Sequence, residues 1–289
     1  MTAEVAAPLT DRQQSRVAAL VASSSIEISP RDPLAGDALR DLFAPETTIL
    51  VAHPPSASCD DVVAACVRLH RAGFNPIPHV AARRLASLIA ASDFLERAAG
   101  EAGIAEALVI GGDPDWPAGP FRDAASLLES GVLECHGLDR VGFAAYPEGH
   151  PLVTAQALEA AIGAKLALAR RHGLAPSLVT QFGFEAAPIL TWIAALRARG
   201  IDCPVRIGVA GPASVATLAR FAVRCGIGAS MRALARGHTA FARILSDAGP
   251  DGLIGALVAG EDARAPIDGL HVFTFGGVRR TAARMHAFR

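Results

Sequence analysis

A chain of 289 residues with 51% hydrophobic and 19% charged side chains holds ample apolar material for a large core, which excludes general disorder. Its net charge of −1 excludes the electrostatic footprint of a nucleic-acid or anionic-membrane binder and points to a small-molecule partner. No apolar run reaches the roughly 18 to 20 residues that span a bilayer, and "MTAEVAAPLTDRQQ" lacks the basic and apolar regions of a secretory leader, so a cytoplasmic address is expected.

The first predicted element is an amphipathic helix, "LTDRQQSRVAALVA", assigned to an N-terminal segment (1–22) packed on a catalytic domain at 23–289. Eight short apolar runs follow as strands: "SSIEIS", "TTILVAH", "NPIPHVA", "EALVIGG", "RVGFAAY", "SLVTQFGF", "PVRIGVAG" and "GLHVFTFGG". Helical spacing fills the intervals, as in "CDDVVAACVRLHRAGF", "LVTAQALEAAIGAKLALARRHG" and "AAPILTWIAALRARG", the last two closing on glycine. Between the seventh and eighth strands, from about Ala213 to Asp262, there is room for more than one helix. Eight β/α units without a linker predict a single-domain α/β fold, a (β/α)8 TIM barrel, rather than a doubly wound sheet.

In such a barrel the functional groups stand at the C-terminal ends of the strands. Read there, the chain offers Glu27, His53, His79, Asp113, Tyr146 with Glu148 and His150, and Gln181. The last strand offers Gly276 and Gly277 for close backbone approach, and Arg279 and Arg280 as charge for an anion. Each has a bland alternative as a paired, capping or packed side chain, but six strands aiming polar groups at one mouth favour function. Glu27 is the sharpest case. Ile26 and Ile28 flank it, so alternation turns its carboxyl into the barrel, where burial is expected to raise its pKa and suit it to general-acid work.

Other chemistries fit less well. The histidines and Glu148 lack an HxH or HExxH arrangement, so no metal is expected. "VIGGDPDWPAGP" lacks GK[ST] and carries Pro114 and Pro117, against a P-loop. Cys59, Cys66, Cys135, Cys203 and Cys225 are odd in number and scattered, as expected of reduced, mostly buried thiols. The single lysine, Lys165, lies in a helical pattern away from any strand end, which disfavours Schiff-base chemistry.

"IEISPRD", "PIPHVAAR", "VIGGDPD", "FAAYPEGHP" and "LVTQFGFE", in this order, resemble the methylenetetrahydrofolate reductase family over about Ser25 to Arg280, most specifically in "YPEGHP" and "TQF". The resemblance implies a TIM barrel that reduces 5,10-methylenetetrahydrofolate to 5-methyltetrahydrofolate, NADH or NADPH first passing a hydride to FAD. Carried over by motif, Glu27 is the acid that protonates N10 and Asp113 the aspartate near flavin and folate. His53, His79, Gly112, Tyr146, His150, Glu159 and Lys165 join Asp113 at the cofactor, and Gln181, Phe184, Arg279 and Arg280 meet the substrate.

The chain departs from the family at "IEISPR" for "FEFFPP", at Gly111 in place of an arginine, near "VAHPP" where a threonine is missing, and at Gly277 in place of the last-strand arginine. These positions concern the FAD phosphates and the folate tail. Three alternatives therefore stay open: flavin-independent hydride transfer from NADH to the same folate, a tetrahydrofolate-dependent methyl-transfer or demethylation protein, and a non-catalytic folate or flavin sensor. No regulatory domain is expected after the barrel, exposed apolar helix faces would suit a homo-oligomer, and no Rossmann fingerprint selects NADH over NADPH.

Overall fold

The apolar runs become strands because their side chains are covered on both sides, by the barrel interior and by a ring of helices. The computed structural model describes residues 8–34, 36–113, 115–225 and 250–288. β1 (Ser25–Ile28), β2 (Thr48–Val51), β3 (Asn75–Ala81), β4 (Glu106–Ile110), β5 (Arg140–Ala145), β6 (Ala175–Gly183), β7 (Val205–Ala210) and β8 (Gly269–Phe273) form a closed, all-parallel barrel in chain order. Closure is made by β8 on β1, with Ser25 opposite His271 and Glu27 opposite Phe273. The chain is a (β/α)8 barrel, and all eight expected strands are present; β6 starts at Ala175, two residues before the expected run.

The helices follow the caps written in the sequence. α1 (Asp11–Ala22) starts at Thr10, whose hydroxyl accepts from the Gln13 N–H while the Gln13 side chain returns to Thr10. It buries Val17, Leu20 and Val21, each contributing roughly 1.5 to 3 kcal/mol, and Arg16 clamps it to Glu261 at 2.8 Å and to the Ile267 carbonyl at 2.6 Å. α2 (Cys59–Arg71) and α3 (Leu88–Ala102) are capped by Ser58 and Ser87. The β4 to β5 connection holds two short helices, α4 (Ala124–Glu129) and α5 (Val132–Cys135). α6 (Ala155–Arg171) and α7 (Ala186–Ala198) each run out at a glycine, Gly173 and Gly200, with φ of 73° and 72°. α8 (Val215–Cys225) and α9 (Asp251–Gly260) occupy the interval between β7 and β8, whose residues 226–249 lie outside the described residues; α10 (Val278–His286) follows β8.

Most of the core lies between strands and helices. Inside the barrel, Leu50, Ile77, Leu108 and Val179 form a small apolar plug. His79 and Gln181 stand two residues beyond Ile77 and Val179 toward the strand ends, so the polar mouth sits directly on this plug. A separate cluster of Phe182, Phe184, Ala210, Ala213, Leu218 and Ala222 packs with Phe221, Phe273 and Phe275 between the ends of β6 to β8 and α8.

Cys66 and Cys203 are buried, and burial pushes the Cys66 thiol up to about 12; Cys59 is half-buried and Cys135 exposed, so the expectation of mostly buried thiols holds for two of these four. The Cys225 side chain lies outside the described residues, as does Pro114. Among the described residues, no helix is long and apolar enough to cross a membrane, and no group of His, Cys, Asp or Glu side chains is arranged to hold a metal ion.

Candidate active site in the barrel mouth

β1 alternates Ile26 and Ile28 toward the helices and Ser25 and Glu27 toward the interior. Barrel closure then brings two imidazoles to one carboxyl. Nε2 of His79, from β3, lies 3.3 Å from Glu27 Oε2, and Nε2 of His271, from β8, lies 3.6 Å from the same oxygen. The His79 approach is not aligned as a hydrogen bond and the His271 approach is too long for one, so both ring nitrogens are buried without a hydrogen-bond partner among the described residues. The other nitrogen of His271, Nδ1, is 2.9 Å from the Ser25 hydroxyl.

These neighbours correct the expectation for Glu27. Burial pushes its carboxyl up, but the imidazole of His271, and behind it that of His79, pull it down further, and the carboxyl lies below its ordinary value. Burial keeps His79 below the usual imidazole range, against the attraction of Glu27. Sequence reading found Glu27 and His79 but missed His271 and Ser25. The signal was present: His271 stands between the apolar Leu270 and Val272 just as Glu27 stands between two isoleucines.

Gln181 owes its position to a β-bulge. The register between β6 and β7 shifts between Val179 and Phe182, and the extra residue re-aims the strand end. The bulge is pinned by Thr180, whose hydroxyl accepts the Gly208 N–H at 2.8 Å and donates to the Gln181 carbonyl at 2.8 Å. Gly208 is required there, because a Cβ would fall 2.4 Å from the Thr180 carbonyl oxygen and 2.7 Å from the Gln181 carbonyl. The Gln181 side chain reaches across to donate to the Gly149 carbonyl at 3.3 Å, and its own amide oxygen is buried without a partner. Five buried polar side-chain atoms lack partners among the described residues, and three belong to His79, His271 and Gln181. Each costs about 1 to 3 kcal/mol, an outlay expected where a polar ligand completes the bonds.

The "YPEGHP" loop closes a turn after β5, with the Gly149 N–H donating to the Tyr146 carbonyl at 3.0 Å. The Tyr146 and His150 rings meet edge to face at 5.0 Å, and His150 Nδ1 accepts the Leu152 N–H at 3.2 Å. Leu152 (86% exposed) and Val153 follow at once. With Trp116 (86% exposed) on the loop after β4 and Leu88 and Ile89 on the first turn of α3, they make up every exposed large apolar side chain among the described residues, all above β3 to β5. All five belong to the connections that follow β3, β4 and β5, on the mouth side of the barrel.

The remaining candidates lie further out. Asp113 is exposed on the loop after β4, next to Gly112 with φ 95°. Phe184 is buried in the aromatic cluster. Arg279 and Arg280 are exposed on the first turn of α10, after Gly276, where a Cβ would fall 1.8 Å from the Pro212 carbonyl oxygen. His53 turns to the helix side, against Phe94 of α3, where burial and the charge of Arg84 push its imidazole down to about 4. Arg84 donates to the carbonyls of His53, Pro54, Pro55 and Ala57, fixing that loop. Glu159 pairs with Arg199 at 2.9 Å, and the ammonium of Lys165 lies 5.2 Å from the centre of the Phe143 ring, where burial lowers its pKa.

No family model matches the chain. Among solved structures it is similar over 94% of its length to an uncharacterised protein from Clostridium thermocellum that binds two copies of 5-methyl-5,6,7,8-tetrahydrofolic acid, with 96% of that chain covered, 12% identity and a TM-score of 0.60. It also aligns with dihydropteroate synthase from Thermus thermophilus, over 92% of both chains, with 13% identity and a TM-score of 0.44. The first likeness is one of fold: this chain has the barrel architecture of that protein.

Proposed function

We propose that the chain binds a reduced folate and reduces 5,10-methylenetetrahydrofolate to 5-methyltetrahydrofolate, with NADH or NADPH as reductant and FAD as carrier. The observation that carries this reading is the half-buried Glu27 carboxyl between His79 and His271, in one mouth with the unpaired amide oxygen of Gln181. Folate binding by the Clostridium thermocellum protein supports it by analogy of fold, a weaker warrant than the site itself.

The chemistry needs three things from the protein. The methylene carbon accepts a hydride only after its bond to N10 opens, and a proton from Glu27 to N10 makes nitrogen the leaving group. The pterin ring must be held edge-on, which the Gln181 amide does by accepting a ring N–H at the oxygen left unpaired. The cation that develops needs a negative charge brought to it, the role given to Asp113 on the exposed loop after β4.

The apolar rim above β3 to β5, beside Tyr146 and His150, fits the ring end of a flavin. Tyr146, His150 and this rim would hold the flavin ring, which would supply the folate with a hydride taken from the nicotinamide. The diphosphate end is served less well, because Gly111 brings no charge and Lys165 lies on Phe143. That observation favours one second reading, direct hydride transfer from NADH to the folate in the same mouth.

The test is product formation from methylenetetrahydrofolate and NADH, for wild type and Glu27→Gln. The proposal expects one 5-methyltetrahydrofolate per NADH for wild type, and for the variant a loss of at least about a hundredfold with folate affinity retained. Equal turnover by both would remove Glu27 from the reaction.

A further inference from the structure

A carboxyl held below its ordinary value is a poor store for a proton near neutral pH. The geometry around it offers another. We propose that Glu27 and His271 hold the reactive proton jointly, with His271 as a positioning residue and the Ser25 hydroxyl matching the imidazole to either charge state. The inference deepens the proposed reductase reading and rests on it only for where the proton finally goes.

Ser25 and His271 face each other across the β1–β8 seam, and the seam puts the other ring nitrogen of His271 beside Glu27. The Ser25 hydroxyl has two choices. It can accept from Nδ1–H at 2.9 Å while donating to the Leu270 carbonyl at 3.4 Å, or it can donate to Nδ1. In the first arrangement Nε2 faces Glu27 with a lone pair or a second proton, so the pair carries one transferable proton, on the carboxyl or on Nε2. In the second, Nε2–H faces an ionised carboxylate, and the transferable proton has gone. Donation through Glu27 leaves Nδ1–H on the Ser25 hydroxyl, a lone pair on Nε2 and an ionised carboxylate; the second arrangement is the other neutral tautomer of the ring, reached only when Nδ1 gives up its proton and Nε2 takes one, and the hydroxyl serves either tautomer without moving either ring.

The exchange with the outside runs through Glu27. Its side chain is 20% exposed and that of His271 1%, so only the carboxyl reaches substrate or solvent. The proton leaves Glu27 for the folate nitrogen, the C–N electron pair goes to that nitrogen, and the hydride comes from the nicotinamide or flavin reductant. Reloading from solvent uses the same carboxyl. Among the described residues, the pair is flanked by His79 from β3 on the carboxyl, Leu50 from β2 opposite Glu27, the Phe273 ring 4.8 Å from His271, and Gly208 from β7 opposite His271. His53 and Arg84 stand beyond them at the end of β2. The unpaired Nε2 of His271 needs a hydrogen-bonding partner, and the nearest acidic oxygen is that of Glu27.

The test is the titration of the His271 side-chain nitrogens by NMR in the ligand-free protein from about pH 5 to 9, with His271→Asn to assign the signals. A shared proton predicts that His271 and the Glu27 carboxyl carbon move in common steps. In Glu27→Gln the His271 curve then simplifies to one step, displaced by at least about one pH unit. The same His271 curve with and without the Glu27 carboxyl would overturn the inference, whether or not the chain reduces folate. Ser25→Ala serves as the second variant. It is expected to displace the His271 curve and the pH profile of folate reduction together, with KM held within about twofold and Ser25→Thr restoring both. A reductase with an unchanged profile in Ser25→Ala would overturn the shared proton and leave the reductase reading standing.

Discussion

Replacing Thr180 by valine removes one oxygen from the bulge and almost no volume. The hydroxyl is the partner of the Gly208 N–H, and Thr180 is 1% exposed, so the variant leaves that N–H buried and unpaired. An orphaned donor costs about 1 to 3 kcal/mol, and the near-isosteric swap adds no cavity. At about 2 °C per kcal/mol for a chain of this size, Tm should fall by about 2 to 6 °C. Calorimetry of wild type, Thr180→Val and Thr180→Ser separates the cause, since serine keeps the hydroxyl and loses only a methyl worth about 1 kcal/mol. The Gln181 carbonyl loses its donor in the same stroke, so 5-methyltetrahydrofolate should bind at least about tenfold more weakly to Thr180→Val, equivalent to about 1.4 kcal/mol. If Thr180→Val matched wild type in both Tm and affinity, the bulge would not be what positions Gln181.

Gly208→Ala drives a Cβ into two backbone carbonyls and should cost more, about 3 kcal/mol, because the backbone must move; denaturant unfolding reads this directly. Gln181→Leu should trade function for stability: the buried unpaired oxygen disappears, so Tm holds or rises while folate affinity drops, and a fall in both would contradict the ligand role. Stability should also fall in acid. His53 titrates at about 4 in the folded chain and near its ordinary value when unfolded. The unfolded state therefore binds the extra proton between about pH 6.5 and 4, and stability is lost as pH falls through that window by at most about 1.4 kcal/mol per pH unit for this residue. His53→Gln should flatten that slope. Arg84→Gln should move the His53 titration upward by NMR, since the guanidinium charge is the second cause of its depression after burial.

The barrel was legible because each of its strands is an apolar run covered on both faces, and each connection restores helical spacing. The direction of Glu27 was legible from its two isoleucine neighbours. The sign of its titration was not, because residues 27, 79 and 271 meet only when β8 closes on β1 and β3 brings its histidine to the same oxygen. His271 carried the same alternation signal as Glu27 and was passed over beside the more conspicuous glycines and arginines that follow it. "LVTQFGF" reads as an unbroken strand, since the bulge that turns Gln181 depends on Gly208 from the next strand. His53 reads as a mouth residue from its place at the end of β2, yet its ring packs against Phe94 of α3.

The most direct test of the reductase reading is the visible absorption spectrum of the purified protein supplied with FAD, recorded without oxygen as NADH and then methylenetetrahydrofolate are added. The account predicts a flavin spectrum that bleaches with NADH and returns as 5-methyltetrahydrofolate forms. A protein that binds the folate but oxidises neither NADH nor NADPH in its presence, with or without bound flavin, would contradict it.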